Sequence, residues 1–127
     1  MSSRVFVAVI SLMTAACASS SKQLKWQRLD LTNEPGRQML LTGAPQTAGM
    51  RSGRVILQPG EEMHRHSTNG NEEVLLFLAG RARVVVGTES VDVGEGQVLY
   101  IPPQTEHEVH NEGPQLVRYV FTVAPAR

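Results

Sequence analysis

From residue 23 onward the chain has no stretch of 3.6-residue apolar periodicity long enough to specify a helix. Short runs rich in Val, Leu and Ile alternate instead with Gly, Pro and Asn. The pattern predicts strands near residues 25–31, 37–42, 53–57, 62–66, 73–78, 81–86, 89–93, 98–101, 106–111 and 116–123. Turn chemistry separates them: Pro59-Gly60, Asn69-Gly70-Asn71, Gly80, Gly87-Thr88, Gly94-Glu95-Gly96, Pro102-Pro103 and Gly113-Pro114. Many short strands at regular spacing specify an all-β, antiparallel sandwich or barrel. One run, Val74-Leu75-Leu76-Phe77-Leu78, is apolar on both faces. Its outer face needs a cover, supplied either by a second copy of the chain in a homodimer or by a layer from the chain's own N-terminal strands.

The first 22 residues follow another pattern. Arg4 precedes an uncharged, mostly apolar run over residues 5–13, and small residues follow as Thr14-Ala15-Ala16-Cys17-Ala18. That order is the order of a secretory signal, too short to span a bilayer as a stable helix. A buried strand over residues 5–10 is the competing reading, but the run ends in small residues and then Ser19-Ser20-Ser21, where a cleavage site belongs. Thr14-Ala15-Ala16-Cys17 resembles the lipobox of bacterial lipoproteins, with Thr14 where Leu is commonest. The resemblance implies that Cys17 becomes a lipidated first residue, anchored to a membrane by its acyl chains. Ordinary cleavage after Ala18 is the alternative. The expected organisation is a signal peptide and tether over residues 1–22 and a single domain over residues 23–127. The expected location is the periplasm, as a membrane-anchored lipoprotein, where nicotinamide cofactors, ATP and CoA are not at hand.

Composition narrows the partners. Among 127 residues, 12 Lys and Arg balance 12 Asp and Glu, so the chain lacks the basic excess that phosphate neutralisation requires and no nucleic-acid partner is expected. The single Cys excludes an intrachain disulfide framework and any Cys-rich zinc module. All four His fall between positions 64 and 110.

Those histidines carry the candidate chemistry. His64-Arg65-His66 on a strand places both imidazoles on one face by period-two alternation, with Arg65 opposite. A carboxylate on the neighbouring strand, Glu72 or Glu73, completes a mixed nitrogen and oxygen site. His107 follows Gly96 and Pro102, with Asn111 four residues later. His110, three residues past His107, is expected to face the other way, as are Glu106 and Glu108. Tyr119 and Phe121 share a face with Val117 and Val123 and are expected to line the core and the pocket.

The two blocks around residues 60–80 and 96–111 resemble the paired motifs of the cupin superfamily, in its small single-domain bacterial form. In the first motif a Gly, His-x-His and a Glu are followed by six residues and a Gly; Glu73 with Gly80 has that spacing and Glu72 does not. In the second, Gly96, Pro102, His107 and Asn111 stand at the family's positions. Three departures occur: the interval from Gly60 to His64 is short, that from His66 to Glu73 is long, and Gln104 replaces the second motif's Gly. The resemblance implies an antiparallel double-stranded β-helix, or jelly-roll barrel. It also implies a metal set of His64, His66, Glu73 and His107. Three imidazoles and one carboxylate suit one divalent transition metal, Mn, Fe, Ni, Cu, Co or Zn, and give Ca no advantage.

Function follows from that set. No nucleophile with a partnering base is visible, so any catalysis is metal-centred, with Glu73 or an unliganded pocket residue as the base. A divalent ion with one carboxylate ligand remains positive and favours a small substrate that chelates through an enolate, carboxylate or phenolate oxygen. The resemblance implies an oxidoreductase of dioxygenase type, or an isomerase or lyase. The alternative is a non-catalytic protein that binds a metal or small molecule at the cell surface or in the periplasm. Seven acidic residues beside the candidate ligands, Glu61, Glu62, Glu72, Glu73, Glu106, Glu108 and Glu112, fit that alternative or a solvated acidic rim.

Overall fold

The computed structural model describes residues 23–127; the leader and Cys17 lie outside them. Nine strands form: β1 (Gly36–Thr42), β2 (Arg51–Leu57), β3 (Glu62–Ser67), β4 (Asn71–Ala79), β5 (Arg81–Val86), β6 (Glu89–Gly94), β7 (Val98–Ile101), β8 (Glu106–His110) and β9 (Val117–Pro125). They make a five-stranded sheet in the order β1-β2-β9-β4-β7 and a four-stranded sheet in the order β3-β8-β5-β6. Every pairing is antiparallel. No helix occurs among the described residues.

The two sheets face each other, and alternation along each strand decides what lies between them. On β4, Glu73, Leu75 and Phe77 are buried while Val74 and Leu76 point outward. Leu75, Phe77, Val84, Ile101, Val109 and Val117 form the centre of the core, each at most 1% exposed. Burial of such a side chain contributes about 1.5–3 kcal/mol, so this core holds the framework and leaves the barrel end near Glu73 to polar groups.

The predicted strand over residues 25–31 does not form. Its alternation is strand-like, but a strand exists only where a neighbour takes its backbone hydrogen bonds. Here the Gln38 side chain takes two at the end of the arm instead: Gln38 Nε2 donates to Asp30 O at 3.0 Å, and Thr32 N donates to Gln38 Oε1 at 2.9 Å. Leu24, Trp26, Leu29 and Leu31 consequently stay exposed. The arm is then held across the outer face of β2 by Arg54, which is 1% exposed. Arg54 Nη1 donates to Glu34 O and Gly36 O at 2.8 Å each, and Nη2 donates to Thr32 Oγ1 at 2.7 Å.

The N-terminal segment therefore covers β2 and not the doubly apolar strand β4. Val74 and Leu76 remain about a third exposed beside their cross-strand partners on β7, Tyr100 and Val98.

Two loops bring the halves of the site together. Asn69, in the long interval of the first motif, has φ 50°, and Gln104, in the place of the motif glycine, has φ 56°. Gln104 thus keeps the left-handed conformation without being glycine, and its N–H donates to Asn69 O at 2.7 Å. Buried Thr68 adds a second tie, donating to Pro102 O at 3.0 Å and accepting from Thr105 N at 3.2 Å.

Candidate metal centre

Three elements supply the site. Glu73 is inward by the same alternation that buries Leu75 and Phe77, whereas Glu72 is outward and accepts a hydrogen bond from Tyr100 Oη at 3.0 Å. On β8, His107 and Val109 are inward and Glu106, Glu108 and His110 alternate away from them. On β3 the alternation is interrupted. Met63 pairs with Val109 and His66 with His107, so three steps along β3 match two along β8. That extra residue is a β-bulge, and it turns both Met63 and His66 toward the interior.

The bulge corrects the expectation that His64 and His66 share one face. His66 enters the site, its ring centroid 4.2 Å from that of His107. His64 does not: its side chain is 88% exposed and its Nδ1 lies 3.0 Å from Glu62 Oε1. Of the four residues expected as ligands, the structure gathers His66, Glu73 and His107, with one ligand atom from each within 4.8 Å of the others. His64 lines the mouth of the same cavity.

The donor chemistry fits a metal ion. His66 Nδ1 is 2.8 Å from His64 O, and His107 Nδ1 is 3.4 Å from Thr105 O. A carbonyl accepts only from an N–H, so the short His66 contact places a proton on its Nδ1 and leaves its Nε2 available as a ligand, while His107 turns Nε2 toward Glu73. His107 Nε2 is 3.1 Å from Glu73 Oε2, with the two side chains 1% and 7% exposed. A carboxylate so buried needs a compensating positive charge. Among the described residues no Lys or Arg pairs with it, so the histidines, or an ion between them, are what is available.

An open cavity of about 360 Å³ reaches this group. Met63, Val55, Tyr119 and Phe121 give it an apolar lining, as expected for the last two, and Phe77 stacks on Tyr119 with ring centroids 5.1 Å apart. Burial first, and the Glu73 carboxylate second, raise the Tyr119 phenol well above its ordinary range; nearby Arg37 opposes them. Tyr119 therefore presents a neutral hydroxyl to the site.

The remaining polar residues of the two motifs have other work. His110 lies outside the group, with Nδ1 2.9 Å from Glu62 Oε2; its Nε2 is 3.1 Å from Glu108 Oε1 but outside hydrogen-bond geometry. Arg65 is committed to Glu106 at 3.0 Å and to Gly87 O at 3.0 Å. Buried Asn111 donates to Leu57 O at 2.9 Å and Gln115 O at 2.7 Å, closing the end of β8 and not serving as a ligand. Sequence reasoning missed Arg37. It stands outside both motifs, and only the pairing of Arg37 with Val55 brings it to the cavity wall.

The cupin domain family matches over residues 53–123, a span containing both motifs and all four candidate ligands. The chain belongs to the cupin domain family. An uncharacterized protein of Methanocaldococcus jannaschii is 37% identical over 51 residues, 40% of this chain and 39% of that protein. A mannose-1-phosphate guanylyltransferase of Salmonella typhimurium is 35% identical over 63 residues, 46% of this cupin and 12% of that enzyme. The chain thus spans well under two thirds of these relatives. Among solved structures, a cupin protein of Bacteroides fragilis superposes with a TM-score of 0.68 at 19% identity, covering 82% of this chain and 87% of that one. A cupin 2 conserved barrel domain protein of Salinispora arenicola gives 0.64 at 22% identity, covering 82% and 91%. At such identities the likeness shows the fold: this cupin is an all-β double-stranded β-helix.

Proposed function

We propose that this cupin is an exported, metal-dependent enzyme acting on a small substrate that chelates through an enolate, carboxylate or phenolate oxygen. One observation carries the reading: a buried carboxylate, Glu73, faces two imidazoles, His66 held at Nδ1 by a carbonyl and His107 with Nε2 toward Glu73, at the inner end of an open cavity. His66, Glu73 and His107 would hold one divalent ion of Mn, Fe, Ni, Cu, Co or Zn. His64, exposed at the mouth, completes the set by leaving Glu62. Bound there, such an ion supplies a Lewis acid or oxygen-binding centre. The protein's own contribution is an apolar wall for the body of a ligand and the neutral Tyr119 hydroxyl as a hydrogen-bond donor. Glu73 is the carboxylate able to take a proton. Dioxygenase-type, isomerase or lyase chemistry all fit this arrangement.

The reading includes periplasmic export and a lipid anchor on Cys17, supported by the order of residues 4–18. It also includes a homodimer through the outer face of β4 and β7, supported by the exposed Val74, Leu76, Val98 and Tyr100. The test is the metal content of protein purified from its own periplasm. About one divalent transition-metal ion per chain is expected, and protein that carries none and takes up none on dialysis would overturn the proposal. A Cys17→Ala chain that stays with membranes would refute the anchor alone.

A further inference from the structure

The 360 Å³ cavity is walled on one side by β1, β2 and β9 of the five-stranded sheet, through Arg37, Val55, Tyr119 and Phe121, and on the other by Met63 to His66 of β3. On the first wall Arg37 pairs with Val55, and Val55 pairs with Tyr119. Arg37 therefore belongs to the face that carries Tyr119 and Phe121, across the mouth from His66. Its guanidinium carbon lies 4.7 Å above the centroid of the Phe121 ring. The ring is held low there by Gly53: a Cβ at that position would come within 2.6 Å of Phe121 Cε1 and Cζ.

Arg37 differs from Arg65, Arg83 and Arg54 in what its guanidinium meets. Arg65, Arg83 and Arg54 all have their guanidinium groups committed, to Glu106, to Glu112 and to arm carbonyls respectively. Arg37 donates to no carboxylate or carbonyl among the described residues, yet it lines both the 360 Å³ cavity and an adjoining one of about 230 Å³. Arg51, which also donates to no carboxylate or carbonyl among the described residues, lines only the second. A guanidinium lying over an aromatic face keeps its N–H fork free at the edge, which is the arrangement that receives a carboxylate in two parallel hydrogen bonds.

We infer that Arg37 is the specificity-determining residue of this cavity and that the ligand is a small acid with two oxygen-bearing ends. One end, a carboxylate, meets Arg37. The other reaches the His66, Glu73 and His107 group, and an apolar body lies on Val55, Tyr119 and Phe121. The inference rests on the proposed metal site for the inner end only. The outer end depends on Arg37 alone.

The test titrates succinate, glutarate and adipate against the monoacids of equal length, butyrate, pentanoate and hexanoate, by calorimetry. Wild-type, Arg37→Met and Arg37→Lys proteins are compared, each zinc-loaded and metal-free, with zinc affinity measured separately. Arg37 is exposed, and Met keeps its apolar stem on Phe121, so the variant retains the fold. Zinc-loaded wild type is expected to bind its best diacid roughly tenfold or more tightly than the matching monoacid, as one charged hydrogen-bonded pair supplies. Arg37→Met erases that preference with zinc affinity unchanged, and Arg37→Lys restores part of it. A preference that survives in Arg37→Met, or is absent from the wild type, overturns the inference. If the wild type binds no zinc, the metal reading falls by itself. Arg37 is then judged on the metal-free titrations, where monoacid binding lost in Arg37→Met upholds its role and binding retained overturns it.

Discussion

Glu73 Oε2 and His107 Nε2 lie 3.1 Å apart in the barrel interior, one on β4 and the other on β8, in different sheets. The pair bridges the two halves of the fold at the point where the apolar core gives way to the cavity. Removing one member leaves the other buried without its partner, so the two substitutions are not equivalent to deleting a surface ion pair.

The metal set is tested by stoichiometry across single variants at fixed pH. His66→Ala and His107→Ala are expected to abolish tight binding, and Glu73→Gln to weaken it while preserving the shape of the site. His110→Ala is expected to keep the ion, because its ring faces Glu62 and not His107. Metal analysis of each purified variant checks this, and loss of metal from His110→Ala equal to that from His107→Ala would show that the ligand set is wrong.

Gly53→Ala is expected to destabilise the fold by about 1–3 kcal/mol, the usual cost of overpacking. The new methyl would meet the Phe121 ring at 2.6 Å and the Gln38 carbonyl oxygen at 2.7 Å, and a backbone oxygen in a paired strand cannot step aside. Urea denaturation measures the loss. An unchanged midpoint would mean that Phe121 has room to move off β2.

Arg54→Met removes three hydrogen bonds, two that tie the N-terminal arm to β2 and one to Gly36 O at the start of β1. Bonds from a charged donor are worth about 1.5–3 kcal/mol each when broken singly. Arg54 Nε already has no partner, which offsets part of that gain. A net loss of about 2–3 kcal/mol is expected, together with faster tryptic cleavage at Lys25 and Arg28. Cleavage at the wild-type rate would show that the arm is held by other contacts.

Acid stability has one identified surface contributor. Hydrogen bonds from Arg83, and its charge, lower the Glu112 carboxyl below the usual carboxylate range. A depressed folded-state pKa means that its stabilisation is complete above the unfolded value and lost as pH falls through the folded one. Glu112→Gln is therefore expected to lower stability toward neutrality, where the wild type has the full contribution, and to converge with the wild type as pH falls through the folded pKa. Because both groups are solvent-exposed, the change is small and shrinks with added salt. Denaturation midpoints between pH 2 and 7 at two salt concentrations measure it.

The strands from β1 to β9 were legible in the chain because period-two alternation and Gly or Pro turns are local properties, and both motifs placed Glu73 and His107 inward by spacing. What the sequence could not determine was anything set by pairing across the barrel. The strand-like arm over residues 25–31 finds no strand partner, since Gln38 takes up backbone groups of Asp30 and Thr32 in the place of a ladder. The bulge in β3 exists only as a mismatch between three residues there and two on β8, so His64 and His66 separate although alternation puts them together. Gln104 adopts the left-handed turn that its side chain disfavours because the Asn69 carbonyl holds its N–H. Arg37 reaches the cavity through successive β1–β2 and β2–β9 pairings, contacts between residues distant in the chain. Local pattern decides which face of a strand is apolar, but only register between strands decides which polar groups meet.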